Sequence, residues 1–112
     1  MALLQIWTYR VKPGRFEEFL AQREEVAQIA REAGITRPIS LRIFQDSVSG
    51  ADTGLVHVIV EQEDWETLGR NLKLLANAES YERYLTLRGE RPAADPPAEL
   101  VKKAILSEIS VS

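Results

Sequence analysis

The sequence predicts an α+β domain with the element order β-α-β-β-α-β, one antiparallel sheet and both helices on one face of that sheet. Three observations carry this prediction: strand-like segments at both ends and in the middle, two segments with helical periodicity, and turn-forming residues between the central strands. Helices that each separate strands, with a hairpin between them, fit a ferredoxin-like arrangement. A length of 112 residues suits one domain, so residues 1–112 are assigned to one.

The first strand and the first helix are indicated by composition and period. Residues 4–11 are largely aliphatic, aromatic or β-branched, and they end before the turn signal Pro13 and Gly14. Residues 15–33 then place apolar side chains on one helical face, and Gly34 supplies a natural C-terminus. Arg23 falls within that apolar face, where a charge is costly. It therefore forms a structural ion pair or reaches into a pocket.

The two central strands are predicted to pair as a hairpin. Ile39, Leu41 and Ile43 alternate with polar or aromatic residues over 39–44, and residues 55–60 are strongly β-forming. Residues 47–54 are rich in turn formers, so we expect a loop there.

The second helical region and the last strand complete the order. Asp64 is expected to cap a helix that runs to Ala76. Asn77 resembles a new N-cap, so the following segment, which Gly89 ends, is either a second short helix or a kinked continuation of the first. Residues 91–97 form a proline-rich crossing loop, and residues 99–111 form the last strand.

Alternation along the strands divides the side chains between two sheet faces. The face under the helices is predicted to carry Ile39, Leu41, Ile43, Val56, Val58 and Val60, joined by Leu4, Ile6, Ile105 and Ile109. The open face is predicted to carry Gln5, Trp7, Tyr9, Arg42, Phe44, His57, Ile59, Leu106 and Glu108. Such an aromatic face is not expected to stay in water, so we predict a homodimer in which a second copy covers it.

Composition excludes several functional classes. A formal charge of -3 without a long basic run argues against nucleic acid as a partner. With no cysteine and one histidine, zinc fingers, iron–sulfur clusters and a multi-histidine metal site within one chain are excluded. Because the chain lacks cysteine, has no histidine on the second helix and shows no Gly-rich phosphate loop, we expect no tightly bound haem, flavin or zinc; an all-carboxylate metal site stays open without support. The N-terminal segment lacks the basic region of a signal peptide and no apolar run could span a bilayer, so we expect a cytoplasmic protein away from membranes.

Short motifs in the chain resemble the dimeric α+β barrel superfamily, and within it most nearly the NIPSNAP-like domains. These motifs cover residues 9–15, residues 17–20, residues 56–58, and the pair Asp64 and Trp65. The resemblance implies two ferredoxin-like sheets that face each other, with small-molecule sites in the barrel or between each sheet and its helices. Members include cofactor-independent monooxygenases, haem-degrading enzymes, isomerases, cyclases and proteins without an assigned activity.

Two departures from the superfamily pattern are informative. Haem-handling members use a histidine on the second helix, whereas residues 80–84 contain none, so that axial ligand is absent. Such domains often carry a basic residue two positions before the tyrosine of the first strand. Trp7 stands there in this chain, so the resemblance does not carry an anion-binding role over to that position.

The candidate site residues fall into two groups. His57 could act as a general base, Arg42 could clamp a carboxylate or phenolate, and Glu108 could orient His57. Five aromatic residues could stack on a flat ligand: Trp7, Tyr9, Phe44, Tyr81 and Tyr84. Each of these residues also has a structural alternative. His57 could be a hydrogen-bonded structural histidine, Arg42 and Glu108 could pair with each other or with the other subunit, and the aromatic residues could belong to the core or the dimer interface.

Two functions stay open at this point. The first is a small-molecule-binding dimeric barrel protein. Its expected activities are those of a cofactor-independent monooxygenase, isomerase or cyclase that acts on a flat and partly aromatic substrate. The second is a non-catalytic dimeric domain whose aromatic sheet face is the subunit interface. A cavity that holds His57 beside Arg42 or a tyrosine hydroxyl would favour the first, and a filled interior would favour the second.

Overall fold

The predicted α+β order is confirmed by the computed structural model, which describes residues 2–35, 40–48 and 51–109. Its four strands form one antiparallel sheet in the order β2-β3-β1-β4, the ferredoxin-like topology. The second helical region consists of two helices. The elements are β1 (Leu3–Val11), α1 (Phe16–Glu32), β2 (Ser40–Val48), β3 (Ala51–Gln62), α2 (Trp65–Ala76), α3 (Tyr81–Leu87) and β4 (Ala98–Ser107).

The central hairpin is longer than the sequence indicates. The loop expected over residues 47–54 is largely strand, because β2 continues to Val48 and β3 begins at Ala51. The register between the two strands shifts between Gln45 and Ser47, and this irregularity lets the polar, turn-forming residues continue the pairing. Ile39, expected in β2, lies outside the described residues.

The N-cap of α2 agrees with the prediction, and its C-cap does not. The Asp64 side chain accepts a hydrogen bond from the Thr67 amide at 2.8 Å and caps α2 as expected. Asn77 was expected to begin the next helix, and this prediction is wrong. It ends α2 instead, where its side-chain amide donates to the Lys73 carbonyl, and α3 begins after Ser80.

The last strand is shorter than predicted. It ends at Ser107, so Glu108 and Ile109 lie beyond it, and residues 110–112 are outside the described part of the chain. The Glu108 amide still donates to the Ala2 carbonyl at 2.9 Å, which keeps the segment beside the start of β1.

The predicted sheet faces are correct for β2 and β3 and wrong for β1. Tyr9, Trp7 and Gln5 lie directly opposite Val56, Val58 and Val60, and residues that face each other across an antiparallel pair share one sheet face. Gln5, Trp7 and Tyr9 are therefore under the helices, where all three are buried. By the same register Leu4 and Ile6 lie on the open face, opposite Glu61 and Ile59.

The apolar interior is divided into two clusters. One lies on the sheet and is built around Trp7, Tyr9, Phe19, Val56 and Val58. The other joins the three helices and contains Ile29, Ile35, Leu75, Tyr84, Leu85 and Leu87. A cavity lined by members of both clusters lies between them. The helices thus lie over β1 and β3 without filling the space above them, and on the same face Leu41 and Ile43 of the edge strand β2 stay exposed.

Candidate functional site

The cavity between the sheet and the helices has a volume of about 350 Å³, which is within the range of small-ligand sites. Its floor is formed by Gln5, Trp7 and Tyr9 of β1 together with Val58 and Val60 of β3. The small side chains Ala27 and Ala30 of α1 line it from the helix side and leave the space open. Three arginines also line it: Arg23 and Arg88, which are buried, and Arg31, which is exposed.

Arg23 projects from the middle of α1 and is 8% exposed. Its guanidinium lies 4.8 Å from the ring centre of Tyr9 and 4.7 Å from that of Phe19. It donates hydrogen bonds to the Tyr9 hydroxyl, at 2.9 Å, and to the Leu87 carbonyl. No carboxylate in the described part of the chain forms an ion pair with it, so its charge is held by aromatic faces and neutral oxygens.

Arg88 follows α3 as its C-cap residue and is 5% exposed. Its guanidinium lies 4.2 Å from the ring centre of Trp7 and donates to the Tyr84 hydroxyl. Glu90 approaches Arg88 Nε at 3.3 Å as an ion pair without hydrogen-bond geometry, and it also binds Lys103 Nζ at 2.8 Å. Glu90 is thus shared between two cations and neutralises Arg88 only in part.

Three buried N–H groups at this end of the cavity have no hydrogen-bond partner among the described residues. They are Trp7 Nε1, Arg23 Nε and an Arg88 terminal nitrogen, Nη2. A buried donor without a partner is costly and uncommon in folded proteins. These donors belong to residues that line the cavity, and with the two buried guanidinium charges they favour an anion at this end, although Glu90 Oε2 is also buried and forms no hydrogen bond there.

Burial also shifts the ionisation of the groups around this cationic end. It lowers the pKa of the Arg23 guanidinium from its ordinary value. An arginine nevertheless stays protonated in proteins at neutral pH, because the ordinary pKa of the guanidinium is very high. It raises the pKa values of the Tyr9 and Tyr84 hydroxyls despite the nearby arginines. Both phenols are therefore neutral hydrogen-bonding groups under physiological conditions, and neither is poised as a base.

The structure brings three of the predicted aromatic residues to this cavity. Trp7, Tyr9 and Tyr84 line it, although the sequence placed Trp7 and Tyr9 on the other face of the sheet. Tyr81 packs, partly buried, against the cluster between the helices. Phe44 is 45% exposed on the open face and does not reach the cavity.

The predicted catalytic group is not assembled at the cavity. His57 lies on the open face, where its Nδ1 and the Thr8 hydroxyl are 2.9 Å apart. Arg42 is on the same face, and its guanidinium lies 5.6 Å from the ring centre of Phe44, which is directly opposite His57. This environment gives His57 a side-chain hydrogen-bond partner and favours its structural reading.

Glu108 is far from the histidine it was expected to orient. It adjoins Ala2 beyond the end of β4, whereas His57 lies opposite Thr8. Thr8 is six positions after Ala2, which is about 20 Å along a strand. The expected interaction between Glu108 and His57 is therefore absent.

Sequence reasoning missed Arg88 and three buried amides that line the cavity, those of Gln5, Gln62 and Asn71. Arg88 gave no distinct signal, because a basic residue just before Gly89, the glycine expected to end the helix, is ordinary at a helix C-terminus. Elsewhere in the described residues, no group of three or more carboxylate or histidine side chains comes together as a metal site. No helix in the same part of the chain has the length and apolarity to cross a membrane.

The fold and the cavity define a ferredoxin-like α+β domain with a cationic, aromatic pocket between its sheet and helices. No protein-family model matches the sequence, and no curated protein matches it. A NIPSNAP family protein from Agrobacterium tumefaciens is similar in structure, with a TM-score of 0.61, 15% identity, and coverage of 100% of this chain and 97% of that one. The resemblance to NIPSNAP-like domains is thus confirmed at the level of the fold.

Two further structures agree with that assignment of the fold. An uncharacterized NIPSNAP-like domain protein from Burkholderia xenovorans has a TM-score of 0.59 and 19% identity, covering 99% of this chain and 88% of that one. A conserved protein of unknown function from Bacteroides thetaiotaomicron, described as a possible oxidoreductase, has a TM-score of 0.58 and 13% identity, covering 94% and 95%.

Proposed function

We propose that this protein binds a small, flat and partly aromatic organic anion in the cavity between its sheet and its helices. The observation that carries the proposal is the set of three buried N–H donors, on Trp7, Arg23 and Arg88, that have no partner among the described residues. A carboxylate, enolate or phenolate oxygen would accept hydrogen bonds from these donors and supply the missing negative charge.

The balance of charge at the cavity supports an anion rather than a neutral ligand. Arg23 and Arg88 contribute two buried positive charges, and Glu90, the carboxylate that pairs with Arg88 among the described residues, is divided between Arg88 and Lys103. Holding a buried guanidinium without a counterion is unfavourable unless other groups compensate. An anionic ligand would remove that cost, so part of its binding free energy would come from relieving the free protein.

The rest of the cavity fits a flat apolar body. Val58 and Val60 form its floor beside the indole of Trp7, and Val26, Ala27 and Ala30 of α1 face them. Apolar walls with a few convergent polar groups are typical of small-molecule sites. The indole supplies a large, rigid surface on which an aromatic ring can pack.

The residues at the cavity favour binding and anion stabilisation over proton transfer. Within the described chain, no aspartate, glutamate or histidine lines it, and burial keeps the Tyr9 and Tyr84 hydroxyls neutral. If the protein is an enzyme, the same groups would stabilise an anionic intermediate such as an enolate. That contribution suits the monooxygenase, isomerase and cyclase chemistry expected from the sequence, and a binding protein without catalysis is the alternative.

Isothermal titration calorimetry with two ligands of matched shape tests the proposal. We expect 2-naphthoate to bind and its neutral amide, 2-naphthamide, to bind at least tenfold more weakly, because only the carboxylate neutralises the two arginines. Arg88→Met should reduce 2-naphthoate affinity. Arg83→Met, on the same helix but exposed and paired with Glu25, is the matched control and should leave it unchanged. Equal binding of the two ligands, or no binding of either, would refute the proposal.

The expected homodimer is part of the same proposal. We infer that a second copy covers the open face, where Leu4, Ile6 and Ile59 lie near the sheet centre and Phe44 and Leu106 are 45% and 51% exposed. A small domain gains stability by covering such a surface. The cavity lies on the opposite face of the sheet, so dimerisation by this face would leave the ligand site free.

A further inference from the structure

Three side-chain amides are buried in a row beside the cavity, and the binding of an anion does not use them. Gln5 on β1, Gln62 on β3 and Asn71 on α2 are 6%, 5% and 8% exposed, and all three line the cavity. Asn71 Nδ2 donates to Gln62 Oε1, and Gln62 Nε2 donates to Gln5 Oε1, each at 3.3 Å. Burying polar groups is costly, so three amides together are an unusual choice for an apolar interior.

The hydrogen bonds within this row of amides leave some of its polar atoms unpaired. The two hydrogen bonds use both polar atoms of Gln62 but only the oxygen of Gln5 and the nitrogen of Asn71. Beside the cavity the row therefore ends in an amide nitrogen of Gln5 and an amide oxygen of Asn71 that form no hydrogen bond with the described residues.

The amides lie at a definite distance from the cationic end. Gln5, Trp7 and Tyr9 project from the same face of β1, and successive residues on one face of a strand are about 7 Å apart. Gln5 is therefore about 7 Å from Trp7 and about 13 Å from Tyr9, against which Arg23 is placed. On the neighbouring strand Val60 lies directly opposite Gln5 and Val58 directly opposite Trp7, so apolar side chains line the floor of the cavity from the amide end to the cationic end.

We infer that the ligand carries a neutral hydrogen-bonding group, a hydroxyl or a carbonyl, at the end opposite its anionic group. The anion would contact Trp7, Arg23 and Arg88, the flat body would pack over the valines, and the neutral group would bind the free amide groups of Gln5 or Asn71. This inference rests on the proposed function, because it takes the anionic end as already positioned. It makes the substrate class a flat hydroxy- or oxo-acid rather than a simple aromatic acid.

The test compares three ligands of nearly the same size by calorimetry: 2-naphthoate, 6-methyl-2-naphthoate and 6-hydroxy-2-naphthoate. The methyl and hydroxyl substituents differ mainly in hydrogen bonding. We expect the wild-type protein to bind the hydroxy acid about fivefold to tenfold more tightly than the methyl acid, the effect of one net hydrogen bond. This comparison needs no variant and does not depend on how a substitution affects folding.

Variants then assign the effect to the amides. In Gln5→Leu and in Asn71→Leu, the ratio of hydroxy-acid to methyl-acid affinity should fall towards one. Gln28→Leu is the matched control, because Gln28 is exposed on α1 and bonds only within its own helix, and it should retain the wild-type ratio. Thermal unfolding of each variant shows whether the fold is retained.

The outcomes separate this inference from the proposed function. If none of the three acids binds, the proposed function fails. If all three bind and the hydroxyl gives no advantage over the methyl group in the wild-type protein, the inference is overturned and the proposed function stands. An advantage that persists in both folded amide variants also overturns the inference, because the hydroxyl would then be recognised elsewhere.

Discussion

Replacing Arg23 with methionine should weaken ligand binding much more than it weakens the fold. Methionine has a similar length and packs well in irregular apolar spaces. The substitution removes the hydrogen bonds to the Tyr9 hydroxyl and the Leu87 carbonyl, each of which is worth about 1.5–3 kcal/mol for a charged donor. It also removes a buried charge without a carboxylate partner in the described chain, which relieves a cost of several kcal/mol. We therefore expect the free energy of unfolding to change by less than about 2 kcal/mol.

The effect on binding has no such compensation. Removing one partner of a desolvated, hydrogen-bonded charge pair weakens association by about 2–5 kcal/mol, and the lower part of that range suits a cavity that is open to solvent at one side. A loss of about 2–3 kcal/mol corresponds to about a 30-fold to 150-fold higher dissociation constant. Urea denaturation gives the first quantity and calorimetry with 2-naphthoate gives the second.

The two measurements together test the interpretation of Arg23. A large binding loss with a small stability loss identifies a residue kept for its ligand. A loss of more than about 4 kcal/mol in unfolding free energy with unchanged affinity would show that Arg23 is a structural arginine. That outcome would remove the charge argument on which the proposed function depends. Arg83→Met, an exposed arginine of α3, should change neither quantity.

Four further predictions follow from particular residues. Gly89→Ala should destabilise the protein by about 2–3 kcal/mol in thermal unfolding, because φ is +85° and the new Cβ would lie 2.8 Å from a side chain of β4. Gly34→Ala is the control: φ is +97° but the space around it is open, so it should cost about 1 kcal/mol. Phe44→Asp should shift the protein towards monomer in light scattering, and a wild-type monomer at micromolar concentration would contradict the proposed dimer. His57→Gln should leave 2-naphthoate affinity unchanged, because His57 is on the face away from the cavity; a tenfold loss would return it to the site. Burial raises the pKa of the Tyr9 hydroxyl above 10.0. The neutral hydroxyl therefore contributes its full stabilisation below about pH 10, and this contribution is lost as the pH rises further. Tyr9→Phe should reduce the alkaline loss of stability when urea denaturation is measured across pH.

The order of the elements could be predicted because it depends on local patterns. Period-2 and period-3.6 apolar residues, a capping aspartate and turn glycines each act within a few positions of the chain. Asp64 shows this well, since its own side chain caps the helix that it was expected to begin. Boundaries failed where pairing with another strand overrides local preference, as in the hairpin that continues through residues expected to turn.

The face of β1 could not be predicted for a different reason. Its even and odd positions both carry apolar residues, Leu4 and Ile6 on one side and Leu3 and Trp7 on the other, so alternation alone does not choose between them. The choice is made by the register with β3, which pairs Trp7 with Val58. Register is a long-range property, and the error moved two of the ligand-contact candidates to the wrong side of the sheet.

The arginines show what a sequence can reveal about a pocket. Arg23 interrupts an apolar helical face, so its position alone signalled either an ion pair or a pocket, and the structure supplies no carboxylate for it among the described residues. Arg88 interrupts no pattern, because a basic residue at a helix C-terminus has the ordinary role of balancing the helix dipole. Only the packing of α3 against the sheet directs Arg88 over the indole of Trp7. Arg23 from α1 and Arg88 from the end of α3 thus stand above the tyrosine and the tryptophan of β1, a grouping that only the tertiary structure reveals.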